Sequence, residues 1–276
     1  KLNSANEDFY QGHFPSHPVM PGVLQVAGMT QVGEALIRRT HGLALDIELR
    51  LAEIQRLKFR NPAGPGDRLT FEARIEPEGA KDDCFRIAAS AAIDSTTTCE
   101  GHLEVRRCDE ADKRPGPDRL APDLVQCEGI SAYDPRDLQE VKKLTPHRYP
   151  FLLVDRILHL DPDGQRIVAL KNVTGNEAFW AGLPTCAVPG YLQAEMAAQA
   201  GSALAFASMS DTSKLVFFMS IDRARFHHPV IPGDQLVMDI SARQRRNFGT
   251  AQGSLYVGER QVTDIALKFA IVSQEV

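Results

Sequence analysis

The side chains best suited to chemistry in this chain are His13, in the run from Gly12 to Gln31 (GHFPSHPVMPGVLQVAGMTQ), and Glu195, in the run from Gly182 to Gln199 (GLPTCAVPGYLQAEMAAQ). An imidazole and a carboxyl group can act as base and acid near neutral pH once burial and neighbours set their proton affinities. The two runs are copies of one another. Pro21-Gly22-x-Leu24-Gln25 is answered by Pro189-Gly190-x-Leu192-Gln193, Asn6-Glu7-x-Phe9 by Asn176-Glu177-x-Phe179, and the turn Pro65-Gly66-Asp67 by Pro232-Gly233-Asp234. The copies differ where chemistry would occur. The first has His13 in its loop and Ala27 on the following helix, whereas the second has Glu195 at that helix position and no histidine in its shorter loop. Each copy therefore keeps half of an acid/base pair, and one composite site is expected where His13 faces Glu195 across a pseudo-twofold interface.

The elements carrying the pair support this reading. Pro21-Gly22 and Pro189-Gly190 open helices, proline being tolerated where a helical N–H has no partner. Glu195 is the single charge on the helix Pro189 to Ser208, among Tyr191, Leu192, Met196 and alanines, and desolvation there raises a carboxyl pKa toward the range a general acid needs. A carboxylate merely complementing the helix dipole is the plainer reading, but Ala27 at the matched position argues that the fold needs none. The helix-opening N–H groups of Gly22 and Gly190 suit an oxyanion; the plainer alternative is that these glycines serve only a tight helix entry. Phe14 and Pro15 beside His13, and Gln199 one turn after Glu195, are expected to contact substrate, with His17 a wall residue. Cys186 is a weaker candidate, because no histidine lies near it to activate the thiol. The His227-His228 pair lacks a third ligand, so no metal is expected.

With 276 residues, 43% of them apolar, the chain has material for about two domains and their cores. Residues 1–108 form the first expected domain, 109–133 a linker rich in proline and acidic residues, and 134–276 the second. The helix from Val23 to Gly33 has no charge and is expected to be buried all round. Strands are expected over Ile47 to Phe59, Leu69 to Ile75, Phe85 to Ile93 and His102 to Val105, and in the second copy near Leu215 to Phe226, Leu236 to Ile240, Gly253 to Val257 and Ile265 to Val272. The second copy adds Leu144 to Thr174, a helical turn and two strands joined at Asp161-Pro162-Asp163-Gly164. The first has only Lys1 to Ala5 at that place, so a leading segment outside these residues is expected. The fold class is α+β.

Five cysteines without a C-x-x-C pair suggest neither a disulfide framework nor a zinc site. No apolar run has the length and flanks of a membrane span, and a cytoplasmic protein is expected. A net charge of −5 argues against a general nucleic-acid binder. It leaves room for local basic patches, at Arg56, Lys58 and Arg60, at Arg223 and Arg225, and at Arg243, Arg245 and Arg246, which suit either solvent or an acidic partner.

The run His13-Phe14-Pro15-x-x-Pro18-Val19-Met20-Pro21-Gly22-Val23, with Leu144-Thr145-Pro146-His147-Arg148-Tyr149-Pro150-Phe151-Leu152-Leu153-Val154-Asp155-Arg156, resembles the 3-hydroxyacyl-acyl-carrier-protein dehydratases of the FabZ type. The resemblance implies a tandem hot-dog fold, each unit a curved antiparallel sheet around one long helix, paired as a pseudo-dimer within the chain. A higher homo-oligomer is also open. It places His13 on the family's catalytic histidine and Glu195 on its glutamate, leaving the mirror-image site dead. It implies acyl carrier protein as partner, an acyl thioester on a phosphopantetheine arm as substrate, an apolar tunnel between the helices for the acyl tail, and no cofactor of the enzyme's own. Glutamate in place of aspartate implies dehydration without double-bond isomerisation. A thioesterase, an isomerising dehydratase and a silent acyl-binding scaffold are the alternatives.

Overall fold

The computed structural model describes residues 1–77, 83–108, 127, 130, 133–181, 187–209 and 214–273. The proposed linker falls almost wholly outside them, as do residues 182–186 and with them Cys186. Along the chain come α1 (Phe9–Gly12), α2 (Gly22–His41), β1 (Leu49–Phe59), β2 (Leu69–Ile75), β3 (Cys84–Ile93) and β4 (Thr96–Arg107). There follow α3 (Leu138–Lys143), β5 (Arg156–Asp161), β6 (Arg166–Asn172), α4 (Gly190–Ala207), β7 (Lys214–Phe226), β8 (Gln235–Arg245), β9 (Phe248–Val257) and β10 (Arg260–Ser273).

The strands form one antiparallel sheet in the order β2-β3-β4-β1-β7-β10-β9-β8-β6-β5. Its middle is a pseudo-twofold axis, since β1 to β4 match β7 to β10 and the equivalent strands β1 and β7 pair with each other through Leu57 opposite Ile221 and Glu53 opposite Arg225. Glu53 accepts from Arg223 at 2.6 Å and lies 3.5 Å from Arg225, so these two arginines stitch the halves together. The matched turns form as their sequence demands. Gly66 and Gly233 have φ of 90° and 101°, and Asp67 and Asp234 accept from the N–H of Gly64 and Ile231.

Strand β1 explains why its alternating pattern breaks. Its pairing with β4 slips between Leu51 and Glu53 and again between Gln55 and Lys58. Each slip inserts one residue and moves the inward phase: Leu49 and Leu51 point in, then Ile54, then Leu57, all buried.

The helices meet opposite fates. Helix α4 is buried along nearly its whole length, whereas α2, expected to be buried all round, exposes Gln31, Val32 and Ala35. The cause is coverage. Strand β6 and the segment Leu144 to Val154 pack against α4, and among the described residues nothing equivalent lies over α2.

That covering segment is held by buried Lys171, whose ammonium lies 2.6 Å from Glu177 and 3.2 Å from Asp155. Lys171→Met would leave two carboxylates facing each other in a half-buried site, and is expected to cost about 3 kcal/mol in a urea unfolding titration.

Candidate functional site

His13 follows the short helix α1, and its own ring is oriented by a local bond: Nδ1 lies 2.8 Å from the Val19 carbonyl. A carbonyl can only accept, so Nδ1 carries the proton and Nε2 keeps a lone pair. The ring stacks on Phe14 at 4.1 Å and meets Phe151 edge-on at 5.5 Å. Burial pushes its pKa down to about 4, so the imidazole is neutral near pH 7.

What carries this loop to the second half is the segment Leu144 to Val154. The Arg148 N–H donates to the Gly12 carbonyl at 3.0 Å, and a Cβ at position 12 would stand 2.1 Å from the Arg148 carbonyl oxygen. Only glycine permits this backbone approach. The same segment grips α4 through Gln199, whose amide donates to the Phe151 carbonyl and accepts from the Leu153 N–H, both at 2.9 Å. Gln199 also donates to Glu195 at 2.9 Å. All three of its contacts are to protein, so it is placed to position the carboxyl; its counterpart Gln31 lies exposed on α2.

Glu195 is buried, and desolvation raises its pKa to about 7 against the opposing pull of the Gln199 hydrogen bond. Its Oε1 lies 3.5 Å from Nε2 of His147. His147 completes the centre, and sequence reasoning misses it because it stands inside a longer motif with its partner Glu195 far from it in the chain. Its Nδ1 is 2.6 Å from the Thr145 hydroxyl. Burial, the neighbouring His13 and the Arg148 charge hold its pKa well below the usual histidine value. Ligand-type atoms of His13, His147 and Glu195 all lie within 4.8 Å of one another.

These side chains open on a cavity of about 320 Å³. Phe14, Gly22 and Gln199 line it. Gly190, Pro15 and His17 do not, and Pro15 and His17 face solvent. The expected tunnel between the helices is instead bounded on one side by the sheet, through Phe59, Val216, Phe218 and Leu267. Gly22 and Gly190 also share a packing reason, since a Cβ on either would press into the ring of Phe59 or Phe226 at 2.6 and 2.5 Å. Of the two helix openings, that at Gly22 lines the cavity among the described residues. At the matched site on α2 stands Ala27. His227, at the end of β7, bonds Asp264 at 2.6 Å.

The outer face of the sheet holds a groove of about 1390 Å³ lined by Arg56, Lys58, Arg60, Arg74, Arg243, Arg245 and Lys268 against Glu72, Glu100 and Asp222. Phe59, Arg60, Met219 and Phe269 line both groove and cavity, so the two adjoin.

Two family models match separate stretches of the chain. A FabA-like domain matches residues 145–266, and an ApeI dehydratase domain matches residues 2–101. The 3-hydroxyacyl-[acyl-carrier-protein] dehydratase FabZ of Pelotomaculum thermopropionicum is 43% identical over 138 residues, covering 49% of this chain and 98% of the relative. This chain belongs to the FabZ dehydratase family. A second FabZ relative, from Aromatoleum aromaticum, is 45% identical over 141 residues, 49% of this chain and 97% of its own. Since each FabZ relative spans about half of this chain, the FabZ unit occurs here in a chain twice that length. The double arrangement has its own structural likenesses. The dehydratase domain of RzxB from Pseudomonas fluorescens superimposes with a TM-score of 0.63 at 14% identity over 98% of this chain and 92% of its own. The dehydratase domain of the CurJ module of curacin polyketide synthase gives 0.63 at 12% identity over 96% and 88%. The fold is a tandem hot-dog. No helix among the described residues is long and apolar enough to cross a membrane.

Proposed function

We propose that this protein dehydrates 3-hydroxyacyl thioesters carried on acyl carrier protein to trans-2-enoyl thioesters, at a single composite site with His13 as base and Glu195 as acid. The observation that carries the proposal is the meeting of a neutral imidazole with a free Nε2 and a buried carboxyl of raised pKa beside one cavity. His13 Nε2 takes the proton from the carbon next to the thioester carbonyl. Charge moves to the carbonyl oxygen, where the Gly22 N–H at the start of α2 receives it. The C–O bond breaks as Glu195 protonates the departing hydroxyl, and water leaves. Proton return from His13 to Glu195 resets the pair. His147, neutral and 3.5 Å from Glu195, orients the acid. The basic groove adjoining the cavity suits an acidic carrier protein, its phosphopantetheine arm entering past Arg60 and Met219.

The reaction is tested by mixing purified protein with a 3-hydroxyacyl thioester and following the absorbance of the conjugated enoyl thioester. Release of free thiol would indicate a thioesterase, a shifted alkene an isomerising enzyme, and no turnover of any thioester a binding protein. The two helix-opening glycines provide a control for the oxyanion assignment. Gly22→Ala and Gly190→Ala, each driving a methyl into an aromatic ring, are both expected to lower stability by about 1–3 kcal/mol. Only Gly22→Ala is expected to lower kcat, by about tenfold or more, in steady-state assays at a temperature where both variants are folded.

A further inference from the structure

We propose that His13, His147 and Glu195 also form a three-ligand site for a zinc ion, occupancy of which switches dehydration off. The inference rests on the dehydratase reading only for its functional consequence; the site itself stands on geometry. Sequence spacing gives no sign of such a site, since the three residues come from three separate parts of the chain and the fold joins them. Their ligand atoms lie within 4.8 Å of one another. Tetrahedral zinc with bonds of about 2.0–2.1 Å sets its donors roughly 3.4 Å apart. His147 Nε2 and Glu195 Oε1 already stand 3.5 Å apart, and the ligand atom of His13 lies within 4.8 Å of both.

Each ligand has the outer partner that metal sites use to fix ring orientation and raise basicity. The Val19 carbonyl holds Nδ1 of His13 at 2.8 Å, the Thr145 hydroxyl meets Nδ1 of His147 at 2.6 Å, and Gln199 donates to Glu195 at 2.9 Å. Both imidazoles therefore turn Nε2 toward the centre. For His147 the Thr145 hydroxyl can accept as well as donate, so the tautomer with a lone pair on Nε2 is available to a metal. Two histidines and a glutamate form one of the common zinc donor sets, and the fourth position faces the cavity where substrate would lie. A bound ion takes up the lone pair of the base and the oxygen of the acid at once, which leaves no proton traffic between them.

Zinc chloride titrated calorimetrically into the chelator-treated full chain is expected to bind at one site per chain. His13→Ala, His147→Ala and the near-isosteric Glu195→Gln should each weaken binding by more than about tenfold, and Gln199→Met, which spares all three ligands, by about tenfold. His227→Ala should leave it unchanged. Circular dichroism identifies any variant that fails to fold, and Glu195→Gln keeps the test open if a histidine variant does. In parallel, one equivalent of zinc should abolish dehydration and a chelator restore it. Zinc bound with unaltered affinity by the folded ligand variants, or no binding at all, overturns the site. Zinc bound in the expected variant pattern without any dehydration activity would sustain the site and overturn the dehydratase reading.

Discussion

Glu195→Gln is expected to lower kcat/KM for a 3-hydroxyacyl thioester by about 10²–10⁴-fold, because the amide keeps the size of the side chain and loses the proton that the proposed reaction has it deliver. The same substitution should change the pH profile. With the His13 pKa lowered to about 4 and that of Glu195 raised to about 7, the working state has a neutral base and a protonated acid. Activity should therefore rise through about pH 4, hold, and fall above about pH 7. Residual activity of Glu195→Gln should lack the alkaline fall. Stability gives a second readout with its own sign. A carboxyl whose folded pKa lies above its unfolded value binds more protons when folded, so its contribution is fully present below about pH 4.5 and is lost as the pH rises through 7. At pH 8 the natural protein should carry a penalty of up to about 3 kcal/mol that the glutamine variant lacks, measured by urea titration at pH 5 and pH 8. Equal stability differences at the two pH values would mean that Glu195 does not titrate where its burial places it.

How far the sequence revealed this arrangement depends on where each signal resides. Duplication made His13 and Glu195 conspicuous, because a second copy shows what the fold alone requires: Ala27 in place of Glu195 marks that carboxyl as dispensable for folding. The paired turns at Gly66 and Gly233 were legible for the same local reason. What stayed hidden was tertiary. The bulges in β1 place the extra residues where the β4 partner has none, and no residue in Leu49 to Phe59 signals this as Gly signals a turn. The exposed face of α2 depends on what packs over it, not on its own uncharged sequence. His147 was masked by its setting in a longer motif; its meeting with Glu195 is made by the Gln199 clamp and the Arg148 to Gly12 bond, which are contacts between parts distant in sequence. The separation of Gly22 from Gly190 has the same origin: identical local chemistry, but among the described residues Gly22 lines the cavity and Gly190 does not.

His13→Ala is the second large effect, an expected loss of about 10³-fold in kcat/KM. The argument turns on one hydrogen bond. Since Val19 fixes the proton on Nδ1, the only basic atom the ring offers the cavity is Nε2, and alanine removes it without touching the acid. His17, exposed and outside the cavity lining, cannot replace it. His147 is the rival base, because its Nε2 also faces the centre, and the two histidines are separable by their outer partners. The Thr145 hydroxyl can donate to His147 Nδ1, which puts the His147 proton on Nε2, toward Glu195, and makes that ring a donor. His147→Ala should therefore cost about tenfold, with Glu195 losing a favourable partner for its ionised form, and the alkaline limb should move to higher pH. Acting as one proton-transfer unit, His13 and Glu195 should also fail to add: the double variant His13→Ala with Glu195→Gln is expected to be little slower than the slower single variant. Steady-state kinetics on these four proteins separate the possibilities. A His147→Ala loss equal to or larger than that of His13→Ala would move the base to the second half of the chain, and strict additivity would dissolve the pair.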